Sequence, residues 1–128
     1  SGGLNQKGQI WRFNFSDPKN ETIELWYESS NPHYGRSNRS FKGNELNMPD
    51  NMGLSPWGDL IICEDNSDLN RLWGISKTGR PYIIAENSHS GSEFAGVCFS
   101  PSGKTMFVNL QSNGQTFAIT GNWETVYI

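Results

Sequence analysis

Five oxygen-bearing side chains stand where strands should begin or end: Asp50, Asn51, Glu64, Glu93 and Asn109. Glu64 closes the apolar run Leu60–Ile61–Ile62–Cys63, where a strand should give way to a turn. Glu93 follows Ser90–Gly91–Ser92 and precedes an apolar run over 94–99. Asp50 and Asn51 follow Pro49 and open another strand. Carboxylate and amide oxygens brought together are the donor chemistry of Ca2+, which takes roughly six to eight of them. Asp50, Asn51, Glu64 and Glu93 are therefore candidate metal ligands, with Asn109 as a supporting residue. Each also has a plainer reading as a solvated strand-end acid, a loop acid or an Asx-turn residue.

Other chemistries are poorly supplied. His33 and His89 are the only histidines, and no Cys-x-x-Cys or Cys/His zinc spacing occurs. Cys63 and Cys98 both lie inside apolar runs and read as buried, unreactive thiols. Asp65–Asn66–Ser67–Asp68 lacks the glycine and the closing glutamate of a helix–loop–helix calcium site, so it reads as a hairpin turn. Ser90, Ser92, His89 and Glu93 are not framed by a Gly-x-Ser-x-Gly elbow. Arg36, Arg39 and Lys42 offer positive charge to an anion such as phosphate, but on a Ser- and Gly-rich loop they read as a solvated insertion.

The elements that must position these residues are strands. Alanine, the best helix former, occurs only at 85, 95 and 118, while glycine occurs 14 times. Five tryptophans in 128 residues exclude a disordered chain, and the missing helix formers exclude a bundle or coiled coil. The formal net charge of −3 gives no basic field for a nucleic-acid backbone. No apolar run approaches the ~20 residues of a membrane helix. Residues 1–8 read as a linker, without the charged and apolar regions of a signal peptide. Strands are expected near 9–15, 22–27, 51–55, 59–65, 71–76, 81–85, 94–99, 104–110, 115–120 and 123–128.

A repeat organises them. Ser55–Pro56–Trp57–Gly58 recurs 45 positions later as Ser100–Pro101–Ser102–Gly103. The same offset pairs Leu54 with Phe99, Ile62 with Phe107, Cys63 with Val108 and Glu64 with Asn109. It also sets Leu72–Trp73–Gly74–Ile75 against Phe117–Ala118–Ile119–Thr120. A period of about 40–50 residues with four strands per unit is the mark of a β-propeller blade. The expected architecture is all-β, with two to two-and-a-half four-stranded antiparallel blades of a partial propeller. Residues 9–28 form a partial blade, 29–45 a loop insertion, and 46–88 and 89–128 a blade each. Inner strands line a propeller's channel, so Glu64 and Asn109 would point at one axis.

Longer strings carry a resemblance. Ser92–Glu93–Phe94–Ala95–Gly96–Val97–Cys98–Phe99–Ser100–Pro101 continues through Gly103, Phe107–Val108–Asn109, Gln111, Gly114, Thr116–Phe117–Ala118–Ile119–Thr120–Gly121 and Trp123. With Pro49–Asp50–Asn51–Met52 and Leu60–Ile61–Ile62–Cys63–Glu64–Asp65, it resembles the C-terminal part of the PhoX-type bacterial alkaline phosphatases. The resemblance implies a β-propeller phosphatase exported to the periplasm or beyond the cell. It implies phosphomonoester hydrolysis with calcium and iron at the propeller centre. Several of that family's ligands, its iron-binding cysteine among them, belong to blades outside this chain, and neither Cys63 nor Cys98 matches that cysteine. The expectation is a phosphatase fragment that binds calcium weakly or not at all by itself. Its partners would be the remaining blades of its parent or further copies of itself. A non-catalytic propeller-like binding module is the rival reading.

Overall fold

A computed structural model describes residues 7–29, 46–67 and 69–123. Nine strands run through them: β1 (Gln9–Asn14), β2 (Thr22–Glu28), β3 (Pro49–Leu54), β4 (Leu60–Glu64), β5 (Arg71–Ile75), β6 (Pro81–Glu86), β7 (Phe94–Phe99), β8 (Thr105–Leu110) and β9 (Gln115–Thr120). The described residues contain no α-helix. All pairing is antiparallel between consecutive strands, giving sheets β1-β2, β3-β4-β5-β6 and β7-β8-β9. The fold is all-β as expected, and its meandering sheets are compatible with partial propeller blades. The expected strand at 123–128 lies outside the described residues apart from Trp123, as does the expected insertion apart from Ser29.

One turn recurs, and its chemistry explains the repeat. Gly58 N–H donates to the Ser55 carbonyl at 2.9 Å, and Gly103 N–H to the Ser100 carbonyl at 2.8 Å. Both glycines hold positive φ, +92° and +72°, which a side chain would oppose. In each turn the serine hydroxyl accepts a further backbone N–H, from Asp59 at 2.8 Å and from Thr105 at 3.2 Å. The two Ser-Pro-x-Gly segments therefore join the first two strands of their sheets in the same way. Ser76–Lys77–Thr78–Gly79 builds the turn once more between β5 and β6, without proline: Gly79 N–H reaches the Ser76 carbonyl at 2.8 Å.

The sheets stack face to face. Ile61, Cys63 and Leu72 pack against Phe94, Val97, Met106, Val108 and Leu110, joining the second sheet to the third. Ile62, Trp73 and Ile75 pack against Ile10, Tyr27 and Leu46, joining the second sheet to the first. Successive residues of a strand point to opposite faces. Ile61, Ile62 and Cys63 are all fully buried, so β4 is covered on both sides. This is why it reads as a continuous apolar run and not as an alternating one. Asn51 Oδ1 accepts the Gly96 N–H at 3.0 Å, a bond between β3 and β7 across the 45-residue offset.

Cys98 departs from expectation. It is exposed, whereas Cys63 is buried, and both are free thiols. Cys98 pairs with Phe107 across the ladder and shares its outward face, while Val97 turns into the core.

Candidate functional site

Antiparallel pairing sets the start of β3 beside the end of β4, with Pro49 opposite Glu64. The start of β7 lies beside the end of β8, with Phe94 opposite Leu110. Packing of β7 on β3 and β4 then brings both pairs of strand ends to one end of the stack. Asp50, Glu64, Asp65 and Glu93 all belong to that end, but the alternation of β4 divides them.

Glu64 lies on the same face as Ile62, toward the first sheet. It is fully buried. Its Oε1 accepts the Asn47 backbone N–H at 2.8 Å, and its Oε2 is buried with no hydrogen-bond donor among the described residues. Burial pushes its carboxyl up to about 6, against the opposing pull of the Asn47 N–H, the Trp73 indole and Arg71. The segment it grips is a strap between sheets. The Leu46 carbonyl accepts from Tyr27 Oη at 3.0 Å and Ser29 Oγ at 2.7 Å. Met48 N–H reaches the Lys7 carbonyl at 2.6 Å, and the Met48 carbonyl accepts the Asp65 N–H at 3.0 Å. Met48 holds φ +49°, a left-handed kink just before β3.

Glu93 lies on the opposite side. It is half-buried, and its Oε2 is enclosed with no hydrogen-bond donor among the described residues. Burial raises its carboxyl first, and the charges of Asp65 and Asp50 raise it further. Three carboxylates, Asp50, Asp65 and Glu93, thus share one field. Cys63 also feels Asp50 and Glu93, but burial chiefly pushes its thiol up to about 12, with the Val97 backbone opposing. That is the reverse of what a thiolate ligand needs.

The loop bearing Glu93 is clamped. Asn70 Nδ2 donates to the Gly91 carbonyl at 3.1 Å and Asn87 Nδ2 to the Ser92 carbonyl at 2.7 Å. Both asparagines are buried. The Glu93 carbonyl accepts the Gln111 N–H at 3.1 Å, and Ser92 Oγ accepts the Ser112 N–H at 2.9 Å.

The structure thus places Glu93 within the field of Asp50 and Asp65 and sets Glu64 apart. Asn51 has committed its carbonyl oxygen to Gly96. Asn109 stays within its own sheet, donating to the Ala95 carbonyl at 3.2 Å and accepting from Thr116 Oγ1 at 2.6 Å. Asp65 was legible only as part of a turn; it follows the last residue of β4 and its charge acts on Glu93. Asn70 and Asn87 left no signal in the sequence. Among the described residues no three His, Cys, Asp or Glu side chains come together to hold a metal ion. The enclosed Glu93 oxygen and its acidic neighbours have the donor chemistry of a calcium shell, but the described residues supply fewer oxygens than the roughly six to eight that the ion takes. Arg36, Arg39, Lys42 and Asp68 lie outside the described residues.

Against known proteins, the family model described as alkaline phosphatase PhoX matches residues 3–114. No curated protein and no solved structure matches the chain.

Proposed function

The chain belongs to the PhoX alkaline phosphatase family, and from that premise we propose that it is the C-terminal part of a secreted, metal-dependent phosphomonoesterase. Its three sheets are successive blades or part-blades, and the rest of the propeller comes from the parent chain. The observation that carries this reading is the family match over residues 3–114, with Glu93 placed in the electrostatic field of Asp50 and Asp65 at one end of the stack. In the assembled parent Asp50, Asp65 and Glu93 would contribute oxygens to a calcium shell completed by other blades, and a divalent ion held there would supply positive charge to a phosphoryl oxygen. This chain's own part is to fix carboxylates: Asn70 and Asn87 clamp the Glu93 loop, and the strap held by Glu64 sets the entry to Asp50. We infer export to the periplasm or beyond from the family resemblance.

The test is an aryl-phosphate assay with added calcium and iron on this chain and on the longer parent. The isolated chain should turn over little or nothing, while the parent hydrolyses the ester. A parent without phosphatase activity would leave the binding-module reading in its place.

A further inference from the structure

The chain holds fourteen asparagines, and only Asn113 is followed by glycine. That pair sits in the turn between β8 and β9, where Asn113 and Gly114 are both exposed. Gly114 has φ +62°, and a Cβ built on it would meet nothing within 4 Å, so the turn is open on that side. The Gly114 N–H is held only by a long bond to the Gln111 carbonyl, 3.3 Å. The Asn113 side-chain carbonyl accepts a hydrogen bond from Ser90 Oγ at 3.1 Å, which polarises the amide carbon toward a nucleophile.

We propose that Asn113 is a site of spontaneous covalent modification, closing a cyclic imide with Gly114 and opening to aspartate or isoaspartate. The Gly114 nitrogen loses its proton to solvent base and attacks Asn113 Cγ. A new C–N bond forms, and the side-chain amide departs as ammonia. Water then breaks one of the two imide C–N bonds. No oxidant or cofactor takes part. Cleavage on one side leaves an ordinary aspartate; cleavage on the other routes the backbone through the side chain and lengthens it by one methylene.

The position gives the change a consequence. The turn is bonded to the Glu93 loop through Gln111 with Glu93, Ser112 with Ser92, and Asn113 with Ser90. Modification therefore adds one negative charge, taking the formal net charge from −3 to −4, beside the loop that carries Glu93. The two described asparagines that precede serine are held differently. Asn87, followed by Ser88, is buried with its amide donating to Ser90 and Ser92 and its carbonyl accepting from His89 and Ser90. Asn66, followed by Ser67, binds the Ser67 N–H on its own side-chain oxygen at 2.8 Å. The inference does not depend on the phosphatase reading.

The experiment incubates the folded chain in neutral and mildly alkaline buffer, then maps peptides by mass spectrometry with detection of isoaspartate. The peptide holding Asn113 should gain the mass difference between NH and O, faster at the higher pH, while those holding Asn66 and Asn87 do not. Asn113→Gln should abolish the change and the accompanying acidic shift on ion exchange. Gly114→Ala, whose methyl has room although φ +62° strains the backbone, should slow it severalfold. A urea-unfolded sample is the reference. Conversion there but not in the folded chain would overturn the proposal, as would conversion led by Asn66 or Asn87.

Discussion

Glu64 and Glu93 are both acids at strand boundaries, yet the side on which each falls decides what it can do. Glu64 is enclosed with a carboxyl raised from 4.5 to about 6. A folded-state value above the unfolded one means that the folded protein holds the proton more tightly. The contribution of Glu64 to stability is therefore fully present below about pH 4.5 and is lost as pH rises through about 6, by about 2 kcal/mol in all. Glu64→Gln keeps an acceptor for the Asn47 N–H and should flatten that part of the stability–pH curve, measured by urea unfolding from pH 4 to 7. An unchanged slope would show that the acid is not the source. The cysteines give a second contrast. A thiol reagent should label exposed Cys98 in the folded chain and reach Cys63 only on unfolding. Equal labelling of both would contradict the packing of β4. At this scale the sequence showed which residues were acidic and near strand ends. It did not show that Asn51 would spend its oxygen on Gly96, because the bond depends on how two sheets pack.

Among the elements, β4 carries the most. Its residues Ile61 and Ile62 face different neighbours, and both are fully buried. Truncating either to alanine should cost about 2–5 kcal/mol, against about 0.5 or less for Leu54→Ala on β3, where the side chain is 71% exposed. Gly74 on β5 lies under the ring of Tyr82, whose hydroxyl donates to Asp59 at 2.9 Å. Gly74→Ala displaces that ring and breaks the bond, so its cost should exceed that of the same change at a surface strand position. Most strands were legible within a residue or two, since the turns are written in Ser, Pro and Gly. The double burial of β4 was legible too, in the unbroken run Leu60–Cys63. The outward turn of Cys98 was not: a register shift between Ala95 and Cys98 interrupts simple alternation along β7.

At the scale of the molecule, the first sheet exposes an apolar face among the described residues. Trp11, Phe13, Phe15 and Ile23 are 49–66% exposed, and Phe13 pairs directly with Ile23 across the ladder. Such a face on an isolated chain should drive self-association. Sedimentation should show a concentration-dependent oligomer that Phe13→Glu with Ile23→Lys dissolves; a monomer at all concentrations would contradict it. The repeat made stacked sheets legible from 45-residue spacing alone, whereas the division of the acids between two faces required the packing itself. The most direct test of the account is a calcium titration of phosphatase activity in the full parent carrying Glu93→Gln. The account predicts a strong loss of aryl-phosphate hydrolysis, with the remaining activity needing more calcium than the unaltered parent. Activity and calcium dependence unchanged by the substitution would contradict it.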